Sequence, residues 1–148
     1  MLNMLRTPAM FGLLSLGVMA CAPADAGDAP KTSTRAAINE IQWGQTPFGP
    51  LASPVSGNFA EGAHITYVKF KSGMATPLHT HSHDYVGIVV TGTTRHYTPG
   101  KPETEKLLPA GSHWFMPGGE PHISECMPGA ECIMAIYQTD SMDFHPVQ

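Results

Sequence analysis

Residues Pro77 to Tyr85 read PLHTHSHDY, which sets His79, His81 and His83 at every second position and closes the series on Tyr85. In an extended strand, residues i, i+2 and i+4 project to one face. The spacing therefore predicts that His79, His81, His83 and Tyr85 face one way while Thr80, Ser82, Asp84 and Val86 face the other. Two imidazoles one step apart on a rigid strand can both reach an ion at about 2.0–2.1 Å. A third ligand has to come from a distant segment. His122 is the best candidate, because FMPGGEPHI holds it behind a Pro-Gly-Gly turn at the mouth of another expected strand. Local spacing alone leaves open a loop tract with adventitious metal affinity. His64, His96 and His145 stand apart from this pattern and read as surface histidines without a ligand role.

The elements that must position these side chains are short. Charged residues make up only 14% of the 148, while Gly (15) and Pro (14) are frequent, a balance that suits strands and turns better than long helices. Apolar runs divided by Gly and Pro follow one another: HITYVKF, YVGIVVTG, TRHYT, EKLLPAG, SHWFMPGG, PHISEC and CIMAIYQT. Each is of strand length, and no mature window of ten residues shows capped helical spacing. The expectation is an all-β domain, a closed or sandwiched antiparallel sheet, since closure removes exposed edges. A domain of this size can bury about two thirds of its unfolded surface. Trp43, Trp114, Phe115 and Met116 are expected as core or pocket wall, with His113 as a further residue on the cavity lining. Eight Lys and Arg spread singly in a chain of net charge -4 give no electrostatic footprint for nucleic acid.

The first residues differ from the rest. Arg6 is the only charge before Asp25, and Pro8 to Ala20 is an apolar run of thirteen. That is too short to span a bilayer, which takes about 20 residues, and reads as a signal peptide over residues 1–20. Val18-Met-Ala-Cys21 resembles a bacterial lipobox, which predicts lipidation at Cys21; a plain signal cut after Ala20 or near Ala26 is the alternative. The mature protein is then exported to the periplasm or cell envelope, touching the membrane only through its anchor. Residues 21–34, rich in Ala, Asp, Pro, Ser and Thr, read as a flexible tether, and residues 35–148 as the folded domain. Arg35 to Trp43 could hold one helical turn or an edge strand. In an oxidising compartment Cys126 and Cys132, on either side of the turn sequence Met-Pro-Gly-Ala-Glu, are expected to form a disulfide at the feet of a hairpin. Free thiols, or a cysteine facing the metal, are the alternatives.

The wider spacing resembles the cupin superfamily. Its first motif, G-x5-H-x-H-x3,4-E-x6-G, corresponds to Gly73, His79, His81, Tyr85 and Gly92, with only the glutamate replaced. Its second, G-x5-P-x-G-x2-H-x3-N, corresponds to Gly111, Pro117, Gly119, His122 and Cys126, with only the asparagine replaced. The resemblance implies a jelly-roll β-barrel (double-stranded β-helix) of six to eight strands. It implies one divalent transition metal, Fe, Mn, Ni, Cu or Zn, held by His79, His81 and His122, with Tyr85 at the fourth-ligand position. It further implies a small-molecule ligand or substrate, and a homodimer as the default assembly. Three-histidine cupins include thiol and diketone dioxygenases, so a metal-dependent oxidoreductase is the implied activity and a non-catalytic binding module of the envelope the alternative. Cys126 in place of the asparagine fits the expected bridge to Cys132. A neutral phenol, with a reference pKa near 10, supplies neither the charge nor the base of a glutamate. Tyr85 either ionises and ligates, or stays protonated beside the metal. Asp84 could instead turn inward on a bulge, and His83 could be a ligand or a contact at the rim.

Overall fold

Most of the apolar runs fold as strands, beginning from a single 3-10 turn at Ile38–Glu40, the helical option for Arg35 to Trp43. The strands are β1 (Gly44–Gln45), β2 (Leu51–Gly57), β3 (His64–Phe70), β4 (His79–Thr80), β5 (Tyr85–Thr91) and β6 (Thr93–Tyr97). After a second 3-10 turn come β7 (Leu108–Pro109), β8 (His113–Met116), β9 (Ile123–Cys126), β10 (Cys132–Gln138) and β11 (His145–Pro146). The computed structural model describes residues 32–148; the expected signal peptide, Cys21 and most of the tether lie outside the described residues. Among the described residues no helix is long and apolar enough to cross a membrane.

Three sheets result. Six strands pair in the order β1-β2-β3-β10-β5-β8, three as β7-β6-β9, and β11 pairs with β4. All these pairings are antiparallel, and the architecture is the expected jelly-roll barrel. The registers fix which side chains share a row. His64, Gln138, Tyr85 and Met116 lie side by side across β3, β10, β5 and β8, and the next inward row is Thr66, Ile136, Gly87 and Trp114. The core includes Tyr85, Met116 and Ile136 of these rows and continues through Phe70, Met134 and the two cysteines.

Strand parity corrects two expectations on β8. Met116 is buried and Trp114 partly so, but the intervening Phe115 is 62% exposed and His113 is exposed as well. Phe115 therefore belongs to the outer face and His113 does not line the interior beside the triad. Trp43 is partly buried with the Lys69 ammonium 4.4 Å from its ring centre, a cation–π contact away from the candidate site. The strand β2 has no counterpart among the expected runs, because LASPVSG carries Pro54 and four small residues instead of an apolar alternation; it tolerates the proline at a register shift between Pro54 and Ser56.

Cys126 and Cys132 are joined and both are wholly buried. They do not sit at the feet of a hairpin, however: β9 belongs to the three-stranded sheet and β10 to the six-stranded one, so the bridge ties the two sheets together. Gly92, where the chain passes from β5 to β6, has φ +77°, and a Cβ there would meet the Cys132 sulfur at 2.8 Å. Both facts demand glycine. A closed loop of this length is worth about 2 kcal/mol to the folded state by the chain-entropy estimate. Cys126→Ala/Cys132→Ala is accordingly expected to lower the Tm by roughly 5–10 °C, and wild-type protein unfolded in reductant should show the same loss. An unchanged melting curve would contradict a structural role for the bridge.

Candidate metal centre

The two histidine segments meet through their backbones. His79 donates its N–H to the His122 carbonyl at 3.1 Å, and His122 returns the bond to the His79 carbonyl at 2.9 Å. Thr76 N–H and the Ser124 carbonyl extend the same pairing at 2.9 Å. A ladder contact between residues far apart in sequence thus sets the imidazoles side by side, and His81 joins them two residues on. One ligand atom from each of His79, His81 and His122 lies within 4.8 Å of the others.

The orientation of each ring follows from its other nitrogen. His79 Nδ1 lies 2.9 Å from the Pro77 carbonyl, His122 Nδ1 2.9 Å from the Glu120 carbonyl, and His81 Nδ1 against the Asp143 carbonyl. A carbonyl can only accept, so each Nδ1 carries the proton and each Nε2 keeps a bare lone pair. Outer-shell bonds of this kind fix the tautomer and raise the basicity of a metal-binding imidazole. Burial holds the rings neutral. Desolvation, and then the neighbouring His122, depress His79 to about 3; desolvation chiefly depresses His122 to about 4; and His81 is lowered by the same cause. The donor set is therefore three neutral nitrogens presented to one point, which suits a borderline transition metal such as Zn, Cu, Fe or Ni.

These depressed values carry a stability signature. An unfolded histidine titrates near 6.5, so as the pH falls below that value the unfolded chain takes up protons that the folded site refuses. Stability is unaffected above about pH 7 and declines as the pH falls toward about 4. The Tm of metal-free protein should follow that course; a Tm flat between about pH 7 and 5 would contradict it.

Tyr85 faces the triad from the start of β5 and is buried. Its hydroxyl lies 2.9 Å from His122 Nε2 and 3.1 Å from His96 Nε2. Since His122 Nε2 is bare, the phenol donates to it. His96 Nε2–H then donates to the phenol oxygen, and His96 Nδ1 accepts from the Ser124 hydroxyl at 2.9 Å. Burial raises the Tyr85 pKa far above its ordinary value, so the phenol keeps its proton.

The strand predicted across residues 79–85 is broken. β4 ends at Thr80 and β5 starts at Tyr85, with bends between. His83 consequently leaves the triad: its side chain is 43% exposed and lies 3.8 Å from the Asp140 carboxylate. Asp84 points outward too, accepting the Gly118 N–H at 2.7 Å and pinning the Pro-Gly-Gly turn. No inward bulge restores a carboxylate there.

His64 and His96 are not surface histidines; both are buried. His96 reaches the site through Tyr85. His64 bonds Thr66 at 3.0 Å and Gln138 at 3.4 Å, while the Gln138 amide donates to the His83 carbonyl at 3.2 Å. His145 alone is exposed as expected, beside Asp143 at 3.0 Å. A signal for His96 was present. In TRHYT, Arg95 must reach water, so its neighbours Thr94 and His96 take the inner face; Arg95 does pair outside with Glu125.

The C-terminal segment contributes without a sequence signal. β11 lies on β4, Asp143 supplies the carbonyl that holds His81, and Phe144 stacks on His79 at 4.2 Å and on Phe48 at 4.4 Å. These rings wall a cavity of about 130 Å³ that opens on His79, His81 and Tyr85, its remaining surface mostly apolar.

A jelly-roll barrel with a largely buried three-histidine cluster is the cupin arrangement. The chain belongs to the cupin-like family described as Domain of unknown function (DUF4437), whose model matches residues 39–141. No curated protein matches it in sequence. Among solved structures it is similar to the polyketide cyclase RemF from Streptomyces resistomycificus, with 18% identity over 79% of this chain and 87% of that one, at a TM-score of 0.66. KdgF from Halomonas sp. shares 20% identity over 70% of this chain and 92% of its own, at 0.56. A cupin-like protein from Thermotoga maritima shares 22% over 70% and 81%, at 0.57. At these identities the likeness establishes the fold.

Proposed function

We propose that the protein is a metal-dependent enzyme of the cell envelope, holding one divalent transition metal on His79, His81 and His122 and acting on a small molecule in the adjoining cavity. The observation that carries this reading is the set of three imidazoles, His79 and His122 buried and His81 partly so, each locked by a backbone carbonyl so that its Nε2 carries no proton, with one ligand atom from each within 4.8 Å of the others. A metal on that donor set would supply Lewis acidity toward a substrate oxygen or, with a redox-active ion, the oxygen-dependent cleavage of a dioxygenase.

The protein's own groups do the rest. The ligand cluster contains no carboxylate, so the histidines add no negative charge to offset that of a bound cation. Tyr85 keeps its proton and acts as a hydrogen-bond donor, its oxygen held in place by His96, which Ser124 in turn holds through Nδ1. The aromatic and methionine walls exclude water and strengthen each polar contact inside. That the neighbour RemF is a cyclase supports small-molecule chemistry in a barrel of this shape.

Tyr85 also favours a second reading, a non-catalytic binding module, because a phenol that keeps its proton is no general base. Two measurements separate these. Purified protein should bind one equivalent of Fe, Mn, Ni, Cu or Zn by elemental analysis and titration, and absence of stoichiometric binding sinks both readings of a metal site. Turnover or oxygen uptake with diketones, thiols, flavonoids or sugars then decides for the enzyme, with oxygen uptake specifying the oxidoreductase. Export and anchoring rest on residues 1–21: Cys21→Ser should move the protein from the membrane to the soluble fraction, and unchanged fractionation refutes the lipid anchor.

A further inference from the structure

The cavity that opens on His79, His81 and Tyr85 has polar side chains on its wall, yet the protein itself already engages their hydrogen-bonding groups. Thr46 donates its hydroxyl to the Pro50 carbonyl at 2.7 Å. Thr76 donates to the Ser124 carbonyl at 3.4 Å and accepts the Ser124 N–H at 3.0 Å. The Gln138 oxygen can only accept, so His64 Nε2–H donates to it at 3.4 Å, and the bare His64 Nδ1 takes the Thr66 hydroxyl proton at 3.0 Å. The Gln138 amide donates to the His83 carbonyl, and the Ser124 hydroxyl pairs with His96 Nδ1. Tyr85 is engaged by His122 and His96. Trp114 contributes ring surface only, its nitrogen being buried.

Charge is committed in the same way. The wall holds no Lys, Arg or Glu. Its one Asp, Asp143, turns its carboxylate to the Ser82 N–H at 2.8 Å and to the His145 ring at 3.0 Å. Phe59, Phe70, Met134 and Met142 stand for the rest of the surface, which is apolar. A polar or charged group buried against such a wall would lose its water and gain no partner. The triad end alone differs, because His79 and His81 keep unprotonated Nε2 atoms there. The cavity, at about 130 Å³, is close to the engineered apolar cavity of roughly 150 Å³ that takes benzene. Resting on the reading of the triad as a metal site, we propose that the substrate is one-ended: an uncharged apolar body of one ring, with its hydrogen-bonding or metal-binding atoms confined to the end that meets the triad. Sugars and amino acids, polar along their whole length, fall outside this class, and flavonoids exceed its size. Small aryl diketones and thiols remain.

4-Fluorobenzohydroxamate and 4-hydroxybenzohydroxamate test this. They share a metal-binding head and nearly the same shape, and only the second carries a hydrogen-bonding group at its far end. Each is titrated into the full chain incubated with one equivalent of zinc. The methyl signals of Met134 and Met142, assigned with Met134→Leu and Met142→Leu, are followed by NMR to place the ring. The expected result is at least about tenfold tighter binding of the fluoro compound, with both methyl signals shifted as it binds. Equal affinity for the two probes, tighter binding of the hydroxy compound, unmoved methyl signals, or no binding of the fluoro compound overturns the proposal. Affinities are taken from the wild-type chain, so the outcome stands whether or not the assignment variants fold. Zinc content measured on the same samples keeps the two readings apart. Preference for the fluoro compound without bound zinc refutes the metal reading and supports this one, while stoichiometric zinc without the preference refutes this one alone.

Discussion

In the double variant His79→Ala/His122→Ala, bound metal is expected to fall to background, whereas Tyr85→Phe should keep it. Loss of a single outer-shell partner already costs a metal site about 10–100-fold in affinity, and the double variant removes two of three ligands together with their outer-shell bonds to the Pro77 and Glu120 carbonyls. His81 alone, however well anchored on Asp143, offers one nitrogen. A loss of at least about a hundredfold follows. Tyr85 stands differently. Its hydroxyl donates to His122 Nε2 in the absence of metal, and once that lone pair is engaged its proton can turn to His96 Nε2, with His96 Nδ1–H then donating to the Ser124 hydroxyl. Serine and histidine can exchange donor and acceptor roles at those positions, so a neutral phenol is accommodated with or without metal. Tyr85→Phe is therefore expected to change metal affinity by no more than about tenfold, the scale of one lost neutral hydrogen bond. Metal titrations of the two variants, beside circular dichroism to confirm folding, check both halves. Equal loss in Tyr85→Phe and the double variant would make the phenol a ligand and overturn its assignment as a protonated donor.

How far the sequence discloses this site depends on which physical constraint acts at each residue. Gly92 and the pairing of His79 with His122 were legible because they answer to spacing: a glycine where the backbone turns to positive φ, and two histidines at fixed distances from turn residues. The strand-length runs HITYVKF and CIMAIYQT appear as β3 and β10 over the same residues, with only the closing Thr139 outside. His83 failed because parity holds only while a strand continues, and Asp84 breaks the run by bonding the Gly118 N–H across the mouth. The disulfide pair was legible, but its geometry was not, since a short turn between two strands looks the same whether it closes a hairpin or carries the chain to another sheet.

Buried polar side chains were the hardest to read. His64, Thr66, Gln138 and His96 all face inward, contrary to the usual burial of apolar residues, and they are tolerated because each finds a partner in the barrel. Such partners lie on other strands, so no local pattern reveals them. The C-terminal DFHPVQ gave no periodicity either. Its effect on the site runs through one carbonyl and one ring, Asp143 on His81 and Phe144 on His79, and backbone carbonyls leave no mark on sequence.

Gly87→Ala is expected to cost about 3 kcal/mol, at the upper end for an overpacked core, and to lower the Tm by on the order of 10 °C. Glycine is not needed there for its backbone, since Gly87 is absent from the positive-φ glycines. It is needed for what lies above it. A methyl group would meet three indole atoms of Trp114 at 2.1, 2.3 and 2.5 Å, and the ring cannot retreat because His96 is stacked on its far face. Any movement is passed on: His96 holds the Tyr85 oxygen, and Tyr85 holds His122. The clash is specific to the pair, so the same substitution in a Trp114→Ala background should cost little, giving a coupling energy of at least about 1 kcal/mol in a double-mutant cycle. Thermal melts of the four proteins supply that number. If Gly87→Ala were neutral in the wild-type background, the indole would not be pressed between glycine and histidine.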